Sequence, residues 1–123
     1  MKTNLFSIFF FVLFSASTNA EEIEMFGVFS SFHKSPTSGD LIGTEIHVLP
    51  HPVVVIQGSE GHAGEPELFK AKILGNNILF KIPEKSMTGL PPGYYEATIN
   101  QNKMILVGPR YKLELPRKTS YWE

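Results

Sequence analysis

The residues that could do chemistry in this chain are four histidines, a few carboxylates and several serines, with no cysteine among them. Without Cys there are no disulfides, thiolate zinc sites or thiol nucleophiles. His33 and His62 stand in segments rich in Gly, Pro and Ser, together with Asp40, Glu60 and Glu65. Imidazole with carboxylate is a borderline-metal donor set, so His33 and His62 are the candidate metal ligands. No H-x-H or H-E-x-x-H spacing occurs, and solvent-exposed histidines are the simpler expectation, so no metal is assigned. Glu60, Glu65 and Glu67 lack the Asp/Asn ladder of a calcium loop.

Covalent and acid–base catalysis fare no better. Gly58-Ser59-Glu60-Gly61 is not the G-x-S-x-G of a nucleophile elbow, and no helix is expected to follow it. Asp40 is the single Asp, which excludes an Asp dyad within one chain. Paired Glu residues could serve a glycosidase, but a β domain this short offers little cleft for a polysaccharide. The expectation is a non-enzyme with no catalytic residue and no cofactor. What remains is recognition. The candidate ligand or partner rim is His33, Asp40, Glu60, His62, Glu65, Met87 and Tyr94, with Phe80, Tyr95 and Tyr111 facing the interior.

The elements that must position these groups are strands. All ten Gly and nine Pro lie after residue 20, leaving almost no room for a three-turn helix. Between these breakers the pattern has period two. Ile42, Thr44, Ile46 and Val48 oppose Glu45 and His47; Phe69, Ala71 and Ile73 oppose Lys70 and Lys72. Ile78, Phe80 and Ile82 oppose Lys81, and Tyr111, Leu113 and Leu115 oppose Arg110, Lys112 and Glu114. The expectation is all-β, with about eight antiparallel strands near 25–32, 41–49, 53–57, 68–74, 78–82, 94–99, 104–107 and 110–115. In a meander the long connections His33–Asp40, Gly58–Glu67 and Pro83–Gly93 share one rim. A small β-barrel is favoured, with a two-sheet sandwich as the alternative. Long loops on one end of a rigid scaffold are where binding usually sits.

Residues 1–20 carry one cation, Lys2, then the apolar stretch Leu5 to Phe14, then small residues ending at Ala20. That order is a secretory signal peptide, with an apolar core too short to span a bilayer. Its removal from the 123-residue chain leaves 103 residues, 21–123, as a single domain. Ten basic against twelve acidic residues remain, a net charge of −2. So small a charge argues against nucleic acid or an anionic membrane as partner. The terminal Tyr121-Trp122 does not make an outer-membrane barrel, because the outward positions Lys70, Lys72, Lys81, Lys112 and Glu114 are charged. The expected product is periplasmic or secreted and water-soluble, with no membrane span once the segment is cleaved.

Strand order, size and export segment resemble the small calycin-type barrels, the lipocalin and avidin style of meander. Ser38 to Ile46, Gly58 to Gly61 and Ser120 to Trp122 also resemble stretches of small exported proteobacterial proteins. The resemblance implies a barrel that binds a small molecule at its rim or in its interior. The Gly-x-Trp opening of lipocalins is missing, so no functional residue is carried over. Small periplasmic lysozyme inhibitors are β-barrels of similar size. That likeness implies the second expectation, an inhibitor or interaction module whose partner is an envelope protein.

Overall fold

The computed structural model describes residues 23–122, so the signal peptide expected at residues 1–20 lies outside the described residues. Within them every regular element is a strand: β1 (Gly27–Ser30), β2 (His33–Lys34), β3 (Leu41–Leu49), β4 (Val53–Gly61), β5 (Glu67–Leu74), β6 (Asn77–Ile82), β7 (Gly93–Ile99), β8 (Lys103–Gly108) and β9 (Tyr111–Pro116). All neighbours pair antiparallel in the order β1-β3-β4-β5-β6-β7-β8-β9, with β2 also on β3. The Phe29–Arg117 bridge and a bond from Lys118 N–H to the Val28 carbonyl join the first strand to the last. The sheet is a nearly closed meander barrel.

Nine strands replace the expected eight for a local reason. β1 and β2 keep one register on β3, from Gly27 opposite Val48 to Lys34 opposite Leu41, so they are one strand interrupted at Ser31 and Phe32. There the Ser31 hydroxyl enters the ladder. Thr44 N–H donates to Ser31 Oγ at 3.0 Å, while Ser31 N–H donates to the Thr44 carbonyl at 2.9 Å. The displaced Ser31 carbonyl lies 2.8 Å from His33 Nδ1 instead. Gly43 lets the strands approach: its φ is +129°, and a Cβ there would lie 2.6 Å from the Ser31 carbonyl oxygen.

β4 corrects a second boundary. Gly58 to Gly61, expected as loop, continue the strand and pair with Leu41 to Thr44. Small residues and glycine read as a loop from sequence, yet here they serve close packing. β5 is the corner of the barrel, pairing with β4 through Glu67–Lys70 and with β6 through Ala71–Leu74.

The interior is filled. Phe29, Ile46, Ile56, Ile78, Ile99 and Leu106 are completely buried, and Phe80 stacks on Tyr95 with centroids 5.7 Å apart. An eight-stranded interior is about wide enough for such side chains and nothing more. At one end the Arg117 guanidinium donates to the carbonyls of Phe26, Glu24, Gln101 and Asn100, clipping both ends of the described chain to one hairpin turn.

Candidate functional site

At the opposite end the three long connections meet, as the meander requires. Loop 83–92 folds inward over the mouth. Leu90 inserts into the core, so it is buried and not part of an exposed rim. The loop is held by its own hydroxyls: Ser86 Oγ and Thr88 Oγ1 are 2.8 Å apart, and Leu90 N–H donates to Thr88 Oγ1 at 3.2 Å. Tyr95 donates its hydroxyl to the Pro91 carbonyl at 2.6 Å. Burial, and then Tyr111 nearby, push the Tyr95 phenol above its ordinary pKa. Under the loop lies Gly58, where a Cβ would sit 2.0 Å from the Thr88 carbonyl oxygen. A residue without a side chain is therefore the floor on which the lid rests.

Between this lid, the β3–β4 hairpin and β9 opens a pocket of about 530 Å³. Ile42 and Thr44 of β3 form one wall, Tyr111 and Leu113 of β9 the other, with Glu60, His62 and Met87 at the lip. The volume falls within the roughly 300–1,000 Å³ typical of small-molecule sites. The Glu60 and His62 side chains make no hydrogen bond or ion pair among the described residues, so their polar atoms are available to a ligand.

The other candidate residues are dispersed around this mouth. His33, Ile42 and Glu60 occupy one cross-strand row of β2, β3 and β4, hence one face. Asp40 is exposed at the foot of β3 and Glu65 is exposed in the loop after β4. Tyr94 points outward from β7, with Lys81 Nζ 5.2 Å from its ring centroid, and does not line the pocket. Phe80 and Tyr95 are core, whereas Tyr111 is half-buried at the pocket wall. Among the described residues no group of three or more His, Asp or Glu is placed to hold a metal ion. His33 and His62 therefore lack a third ligand there.

Sequence reasoning missed a polar cluster on the outer face. Glu45 points away from the core, as alternation requires, yet it is only 1 % exposed. The C-terminal segment 118–122 crosses over it. Ser120 Oγ donates to Glu45 Oε2 and Tyr121 N–H to Oε1, both at 2.9 Å, and His47 Nε2 lies 2.9 Å from Oε2. Burial alone would raise the carboxyl pKa, but the bonds from Tyr121, His47, Ser120 and Ser30 outweigh it and hold Glu45 below its ordinary value. Trp122 Nε1 donates to Gln57 Oε1 at 2.7 Å, and Phe32, Tyr121 and Trp122 meet edge to face. The sequence signal was Ser120-Tyr121-Trp122 itself, a polar–aromatic ending suited to covering a strand face.

Fold and site together define a small antiparallel barrel with a filled core and a lidded pocket at one rim. No family model, curated protein or solved structure matches the chain. No helix among the described residues is long and apolar enough to cross a membrane.

Proposed function

We propose that this protein is a non-enzymatic, exported β-barrel that binds a small molecule in its rim pocket. The single observation that carries the reading is the 530 Å³ cleft between the lid and β9, whose lip holds the free Glu60 carboxylate and His62 imidazole. The filled core turns the choice between rim and interior toward the rim, unlike the interior cavity that kinship with calycins would suggest. Apolar walls of Ile42, Leu113 and Tyr111 with a polar lip suit a compact amphipathic molecule bearing a hydrogen-bond donor or a positive charge. The charged, apolar and small-residue order of residues 1–20 supports export to the periplasm or outside the cell.

A second reading, an inhibitor or interaction module for an envelope protein, is favoured by Met87, which is 67 % exposed beside the pocket. Thermal-shift screening of a metabolite library against the protein and its Ile42→Trp variant separates the two. Ligands that stabilise the first and not the second support the pocket. Shifts unaffected by Ile42→Trp would sink it.

A further inference from the structure

We infer that the ligand of the rim pocket is a short extended peptide, paired with the free edge of β9 and holding a central lysine in the cleft. The inference rests on the pocket reading and names its ligand class. It starts from a seam between the first and last strands. β1 meets β9 at Phe29–Arg117, and the next step would set Ser30 opposite Pro116, which has no N–H to donate. One residue further, Ser31 turns its N–H and hydroxyl to Thr44, and β2 stays on β3, opposite Leu41 and Ile42. From Leu115 back to Tyr111, β9 therefore has a strand neighbour on one side only, β8.

The ladder identifies the groups left over. Arg117 N–H donates to the Asn102 carbonyl on the β8 side, and Lys118 N–H to the Val28 carbonyl on the β1 side. The β8–β9 register is unbroken from Lys103 opposite Pro116 to Gly108 opposite Tyr111, so this alternation holds along the strand. The backbone N–H and C=O of Glu114 and Lys112 thus point into the seam. No turn or loop bond reaches them among the described residues.

An extended peptide is the chemistry such an edge accepts. Every pairing in this sheet is antiparallel, and a peptide that continues the pattern meets Glu114 first, then Leu113, then Lys112. Opposite residues share a face, so its middle side chain points inward with Leu113, into the cleft lined by Ile42 and Tyr111. A lysine suits that place, its stem on these apolar walls and its ammonium facing the Glu60 carboxylate at the lip. Glu114 already holds Lys103 at 3.2 Å, whereas Lys112 is exposed and unpaired among the described residues, so the third residue is acidic. The Phe29–Arg117 bridge closes one end of the seam and the Pro109-Arg110 turn the other. That leaves room for about three residues, ~10 Å, which a longer strand of a folded partner would overrun.

Titration of the nitrogen-15-labelled protein with the blocked tripeptide Thr-Lys-Glu, followed by NMR, tests this. The Lys112 and Glu114 amides should exchange quickly in the free protein, then shift saturably and become protected as peptide binds. N-methylation at the peptide's Glu removes a bond to β9 and should weaken binding about three- to tenfold. N-methylation at its Lys, whose amide faces away from β9, should cost clearly less. Glu60→Gln should weaken the lysine peptide about two- to fivefold and leave a norleucine analogue unchanged. The proposal is overturned if the two amides are already protected in the free protein, if both N-methylations cost the same, or if no blocked tripeptide shifts those amides. In that last case, other ligands excluded by Ile42→Trp would leave the pocket standing without its peptide. Peptide binding that survives Ile42→Trp would overturn both.

Discussion

Gly58→Ala puts the lid to the test with a single methyl group. The added Cβ would lie 2.0 Å from the Thr88 carbonyl oxygen and 2.9 Å from its carbon, where ordinary contacts begin near 3.4 Å. Both neighbours are backbone, so no side-chain rotation relieves the clash. Gly58 has no positive φ, so the cost is steric and not conformational. Either β4 shifts within its ladder to β3, or loop 83–92 retreats by about 1 Å or more and drags Leu90 from the core. Overpacking of this kind costs about 1–3 kcal/mol. Exposing Leu90 fully costs about the same, which caps the penalty near 3 kcal/mol. For a domain of this size the melting temperature should fall by roughly 5–15 °C. Urea unfolding followed by tyrosine and tryptophan fluorescence measures the midpoint. Gly64→Ala, whose Cβ would approach only to 3.3 Å, should cost clearly less. A Gly58→Ala midpoint equal to that of the parent would refute the packing of lid on floor.

Other expectations follow from the same contacts. Glu45→Gln keeps the shape but removes the charge that accepts from Ser120 and Tyr121, and should cost about 1–3 kcal/mol at neutral pH, with Trp122 emission shifted to the red as the segment loosens. Because the folded state holds the Glu45 carboxyl below its ordinary pKa, its contribution is full above the unfolded value near 4.3 and is lost as pH falls through the lower folded value. Urea midpoints from pH 7 to 3 should therefore drop more steeply for the parent than for Glu45→Gln; parallel profiles would contradict the assignment. Arg117→Ala removes donors to four carbonyls and should speed hydrogen exchange across Asn100–Asn102, with a loss of about 1.5–3 kcal/mol. Tyr95→Phe should cost only about 0.5–1.5 kcal/mol, since the ring stack stays and one bond to Pro91 is lost.

Much of the barrel was legible because period-two alternation is a direct record of a sheet with one wet face. β3 runs over the residues expected from Leu41 to Leu49, and the long connections share a rim because a meander alternates ends. What escaped was set by tertiary contact. Gly58 to Gly61 looked like loop, and became strand because the lid needs a bare backbone beneath it. Glu45 followed the outward pattern faithfully, and is buried because a segment more than seventy residues away in sequence lies over it. Leu90 stands among prolines in a long connection with no alternation to mark it, yet the inward fold of its loop makes it core. Of the candidate site, Glu60, His62 and Met87 converge on one pocket, whereas Tyr94 belongs to the opposite side of its strand.

The rim pocket is the central claim, and native mass spectrometry tests it most directly. The protein and its Ile42→Trp variant would be isolated in native form from the cells that make them, without refolding, and sprayed without denaturation. Ile42 is partly exposed at the pocket wall, so the larger ring occupies the cleft and spares the core. The account predicts a small-molecule adduct on the parent that is released on denaturation and missing from Ile42→Trp. An adduct carried equally by both proteins, or by neither, would contradict it.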